Sequence, residues 1–110
     1  MKIAFSFLFL LFSTFALGQK VFSVDYEYRA DVKVYVVDAE YRADLLVYRV
    51  KSEYQAGQND GKWFFVSSEY QSKKKVFFTD AEYRADLKIY FVDAEYRAGW
   101  KNSSKKHLLY

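Results

Sequence analysis

The chain of 110 residues has no cysteine and no proline, one histidine and one methionine. Without cysteine there are no disulfide staples, no thiolate metal site and no lipid anchor on an N-terminal cysteine. Only Gly57, Gly61 and Gly99 lie beyond residue 18. That scarcity excludes a series of tight two-residue hairpins, which need residues at positive φ. Neither charge sign dominates, with 17 basic and 14 acidic side chains. The small excess does not make a nucleic-acid footprint. Lys73, Lys74, Lys75, Lys105 and Lys106 place it in the later half, where it reads as a solvated basic edge or a weak contact with an anionic envelope polymer.

One long apolar run does occur. Lys2 precedes a mostly apolar stretch over residues 3–17, closed by Ala16-Leu17-Gly18. This is the layout of a secretory signal peptide over residues 1–18, cleaved near Gly18. A membrane anchor is the alternative, but the run falls short of the roughly 20 residues a bilayer requires. The expected product is a single exported domain, periplasmic or extracellular, over residues 19–110. It has no integral membrane segment and no disulfide to compensate for its small size. Tyrosine and phenylalanine, 11 of each, are the compensating material, together with an unusual topology.

What the chain has is a repeat. Glu-Tyr returns at Glu27-Tyr28, Glu40-Tyr41, Glu53-Tyr54, Glu69-Tyr70, Glu82-Tyr83 and Glu95-Tyr96. Six units follow, over residues 21–33, 34–46, 47–62, 63–75, 76–88 and 89–101. Each has 13 residues, except the third, which carries three extra in a polar joint containing Gly57 and Gly61. The chain therefore divides into two homologous halves of three units, followed by a degenerate tail, Asn102 to Tyr110. Units three and four share a variant, with Gln55 and Gln71 where the others have arginine.

Within a unit the period is two. Tyr83, Ala85, Leu87, Ile89 and Phe91 fall on one face, and Glu82, Arg84, Asp86, Lys88 and Tyr90 on the other. Such alternation predicts half-buried strands and an all-β fold. It breaks at Asp38-Ala39, Asp80-Ala81 and Asp93-Ala94, which predicts corners there. Asp44 and Asp86 mark softer bends. Glutamate and arginine two residues apart predict rows of opposite charge between neighbouring strands, which oppose slipped registers. The same alternation assigns the six Glu-Tyr tyrosines to the core.

The pattern Glu-Tyr-Arg-Ala-Asp-Leu at Glu40–Leu45 and Glu82–Leu87, continued by Val47-Tyr48 and by Ile89-Tyr90, resembles the septoil-knot domain family. The resemblance covers about residues 20–101. It implies a compact, deeply knotted single domain in which two similar coiled halves twist about each other into a seven-crossing knot.

No catalytic, cofactor or metal site is expected. His107 is the only imidazole, and no nucleophile or calcium-loop context surrounds it. The repeated glutamates read as a charge row and not as a catalytic pair. Tyr35, Tyr48, Tyr90 and Trp63 are ambiguous between partly buried packing, the preferred reading, and an outward row that stacks on sugars. The expected function is that of a non-enzymatic, monomeric, protease-resistant exported module, structural or interacting, with no cofactor. The rivals are a carbohydrate-binding module whose exposed Tyr and Trp bind an envelope polysaccharide, and a fibre-forming repeat protein.

Overall fold

The computed structural model describes residues 18–110. The leader reading concerns residues 1–18, of which 1–17 lie outside the described residues. Seven strands follow in order: β1 (Lys20–Ser23), β2 (Val32–Val36), β3 (Leu45–Arg49), β4 (Lys62–Phe65), β5 (Lys74–Phe78), β6 (Leu87–Phe91) and the short β7 (Gly99–Trp100). After each of the first six strands, Glu-Tyr-Arg or Glu-Tyr-Gln forms a single 3-10 turn. The strands are shorter than the alternation suggested. The Glu-Tyr-Arg segment, read as strand, is turn instead.

The sheet interleaves the two halves. Its order is β4-β1-β5-β2-β6-β3, and β3 pairs back to β4 to close a six-stranded barrel. Every contact among these six is parallel; β7 adds antiparallel to β3. A parallel return ordinarily takes a long crossover, usually a helix. Here the strong stagger removes that need. Val76 of β5 pairs with Ser23, the last residue of β1, and with Val32, the first of β2. Ile89 of β6 likewise joins Val36 to Leu45. The chain therefore leaves one strand and enters the next at one level, passing across a strand of the other half.

Each connector begins by bonding to the strand it crosses. The amides of Val24, Val37, Val50, Val66, Thr79 and Val92 donate to the carbonyls of Val76, Ile89, Trp63, Val21, Val34 and Val47 at 2.8–2.9 Å. Four of the connectors re-enter the ladder through an aspartate or its substitute, with amide bonds of 2.7–2.8 Å from Asp31, Asp44, Lys73 and Asp86. Three of these aspartates also accept from the partner strand. The amides of Lys75, Lys88 and Lys33 reach Asp31, Asp44 and Asp86 at 2.9–3.0 Å. The second aspartate of a unit is thus a clamp between halves, a stronger role than the soft bend expected of it.

Register and tilt sort the inward residues into tiers. Val21, Val76, Val34, Ile89, Val47 and Trp63 form the middle tier, and every one is fully buried. Val32, Leu45 and Leu87 lie in the tier toward the strand N-termini, where the tail covers the barrel. That tail is not degenerate. Ser103–Leu109 forms a 3-10 helix capped by Asn102, and Leu109 joins the core with no exposed surface. Trp100, beside the tail, donates through Nε1 to the Asn59 carbonyl at 2.9 Å, and Asn59 Nδ2 donates to the Lys106 carbonyl at 3.0 Å. The extra residues of unit three thereby tie the joint to the tail. Gly61 is required there: its φ is +93°, and a Cβ would lie 2.4 Å from the Leu46 carbonyl oxygen.

Candidate interaction surface

The six Glu-Tyr turns form the outer layer. In each, the third residue's amide bonds to the carbonyl before the glutamate, as from Arg29 to Tyr26 at 3.1 Å. The following alanine or serine amide bonds to the glutamate carbonyl, as from Ala43 to Glu40 at 3.1 Å. This tight turn carries its middle residue at the apex. Tyr28, Tyr41, Tyr54, Tyr70, Tyr83 and Tyr96 are accordingly 81–88% exposed. Core packing of these tyrosines is therefore incorrect. The period of two holds only along an extended chain, and it stops at the turn. Tyr26 stacks on Tyr28 with ring centroids 5.8 Å apart.

The ambiguous aromatics resolve differently. Trp63 is fully buried, so it offers nothing to an outside sugar. Tyr35, Tyr48 and Tyr90 are half-buried and pack against the second apolar cluster of Val37, Ala43, Leu46 and Val92. That cluster lies between strands and connectors.

Around the tyrosines runs a ladder of ion pairs. Arg29 bonds Glu69, Arg84 bonds Glu27 at 2.6 Å, Arg42 bonds Glu82 at 2.5 Å, and Arg97 bonds Glu40. Each arginine thus reaches the glutamate of the neighbouring turn, always in the other half. The expected rows of opposite charge exist, on turns instead of strands. Lys33, Lys75 and Lys88 add second cations to Glu27, Glu69 and Glu82 at 3.4–3.9 Å. The Arg42 hydrogen bond holds Glu82 below the usual carboxylate range, and Glu82 in turn raises Arg42. Glu27 likewise raises Arg84.

The glutamine variants stand where this ladder stops. The turns of units three and four would supply their third residues to Glu95 and Glu53. With Gln55 and Gln71 there, lysines substitute: Lys62 lies 3.7 Å from Glu95 and Lys20 3.2 Å from Glu53. Gln55 instead closes a capping box, accepting from the Ser52 amide at 3.1 Å. The shared variant sets these two turns apart in the sequence, whereas the interrupted pairing follows from the strand order of the closed barrel.

Among the described residues no three of His, Cys, Asp or Glu converge to hold a metal ion. His107 is exposed, with Nδ1 3.0 Å from the Ser104 carbonyl. No helix of the described residues is long and apolar enough to cross a membrane.

The interleaved, closed, all-parallel barrel with outward turns defines a repeat-built β-domain of two interlocked halves. The chain matches the 7(1) septoil knot domain over residues 18–101 and belongs to that family. No curated protein and no solved structure gives a match.

Proposed function

We propose that this chain is an exported, non-enzymatic interaction module built on a rigid, knotted, protease-resistant scaffold. The observation that carries the reading is the constant exposure of the six turn tyrosines on an otherwise locked frame. A large aromatic repeated on the outside of every unit contributes nothing to the core, while rigid tyrosines suit contact surfaces because little side-chain entropy is lost on binding. Every strand of the barrel has a neighbour on both sides. That closure removes the edges on which fibres grow and favours a monomer over the fibre-forming reading. Native-state proteolysis tests the scaffold. The expected result is a fragment beginning near residue 19 that survives trypsin despite its many Lys and Arg sites. Rapid digestion throughout residues 19–101 overturns it.

The exposed tyrosines also support a second reading, carbohydrate binding to an envelope polysaccharide, without any part for Trp63. Each turn glutamate is paired with an arginine or a lysine, which offsets its charge beside the ring and suits a polyhydroxyl chain. Quenching of tyrosine fluorescence by cell-wall polysaccharide is the expected signal. An unchanged spectrum removes this reading and leaves the scaffold reading standing.

A further inference from the structure

The two ends of the barrel differ. The tail covers the strand N-termini. At the strand C-termini the third inward tier is Ser23, Val36, Arg49, Phe65, Phe78 and Phe91, and here Val36 and Phe91 remain 42% and 38% exposed. Phe65 stacks near Phe78 with centroids 6.3 Å apart, and it forms a T-shaped pair with the fully buried Trp63, centroids 6.0 Å apart. This is an apolar mouth with one cation in it. The Arg49 guanidinium lies 4.4 Å from the centroid of the Phe65 ring. None of the ion pairs among the described residues involves Arg49. A guanidinium laid over a ring keeps its N–H donors in its own plane, free for an oxyanion.

The repeat shows how local this charge is. Two residues beyond the tier, units one, two, five and six place Asp25, Asp38, Asp80 and Asp93. Unit three has Lys51 and unit four Ser67 at those positions. The sector holding Arg49 is therefore the one stretch of rim without a carboxylate, and it adds a second cation. Elsewhere the rim carries carboxylates: Asp38 and Asp93 are paired with Arg42 and Arg97 at 3.0 and 3.4 Å, while Asp25 and Asp80 have no ion-pair partner among the described residues and disfavour an anion. An anionic group is directed to Arg49, and any apolar body attached to it lies over the phenylalanines and Val36.

We propose that this mouth binds a medium-chain aliphatic carboxylate, with the carboxylate on Arg49 assisted by Lys51 and the chain across Phe65, Phe78 and Phe91. The site is separate from the tyrosine turns, so its failure leaves the scaffold reading intact.

Titration of the full chain with decanoate, followed by calorimetry and by the ring resonances of the phenylalanines, tests this. Decanol, of equal length and uncharged, is the control. Saturable decanoate binding is expected, with shifts at Phe65 and Phe91, none at Trp100 on the opposite end, and decanol about tenfold weaker or more. Arg49→Val places there the residue that unit two carries at Val36, and it removes the preference for decanoate over decanol. Arg49→Lys keeps the charge but loses the planar fork and gives an intermediate affinity. An absence of saturable binding, equal affinity for decanoate and decanol, or an unchanged preference in Arg49→Val overturns the proposal. So does binding to anionic phospholipid vesicles with none to decanoate, which assigns the mouth to a membrane surface.

Discussion

Trp63 offers the sharpest test of the barrel interior. It is the largest fully buried side chain, and it completes a tier whose other members are Val21, Val34, Val47, Val76 and Ile89. Its Nε1 is buried without a hydrogen-bond partner, as is Oε1 of Gln19. Two opposed terms therefore meet at one residue. Removing the whole ring system leaves a cavity inside a barrel whose five other strands each contribute one member of the tier, and Trp63→Ala should cost about 3–5 kcal/mol. Trp63→Phe removes only ~40 Å³, a cavity cost of about 1 kcal/mol at the measured slope. It also relieves an unpaired buried donor, which costs about 1–3 kcal/mol to keep. The relief matches or exceeds the cavity, so Trp63→Phe should be neutral or slightly stabilising. Equilibrium urea unfolding by far-ultraviolet circular dichroism, with incubation long enough for an interlocked chain to relax, reads both variants. Trp63→Ala should lower the midpoint by roughly 2 M at a typical urea slope. A Trp63→Phe variant as damaging as Trp63→Ala is the contrary outcome. Such a result would show that the indole N–H has a partner, with Gln19 the nearest candidate in the β1–β4 register.

The ion-pair ladder predicts acid sensitivity. Because Arg42 holds Glu82 below its unfolded value, that pair's contribution is present above the ordinary carboxylate range and is lost as pH falls through the folded value. Thermal midpoints measured from pH 7 to pH 3 should decline, and Glu82→Gln should flatten the slope; an unaltered slope counts against the pairing. Leu109→Ala should cost about 2–4 kcal/mol, because the tail plugs the barrel. A loss below about 0.5 kcal/mol would mean that the tail merely rests on the surface.

Much of this architecture was readable in the residues. The unit boundaries, the two halves and the Asp-Ala corners follow from spacing and turn chemistry. The alternation of Leu87, Lys88 and Ile89 reports their burial correctly. The tyrosines misled because Glu-Tyr-Arg continues the same alternation by residue type while the backbone there has already turned. A period of two cannot distinguish a strand from a turn that happens to share its pattern. Trp63 was equally opaque, since its unit-mates are valines and an isoleucine, and its size suggested an exception when it fills the same tier. The pairing of Arg29 with Glu69 lay beyond any local rule. It depends on which half lies beside which, and only the closed strand order supplies that.

The interleaving also explains which residues were free to vary. The turns of units one, two and five must each supply an arginine to one neighbouring turn and a glutamate to the other, and the aspartates of the same three units must clamp the adjacent strand, so those units are held alike by mutual contact. The connection between halves breaks that constraint at units three and four. Their turns meet across the closure of the barrel, where lysines from the strands replace the missing arginines. Where the arginine ladder is interrupted, this sector carries Gln55 and Gln71 on its turns and Arg49 and Lys51 at its mouth. A fold whose units interlock so fully can place an asymmetric feature only at its seam, and the unpaired arginine stands there.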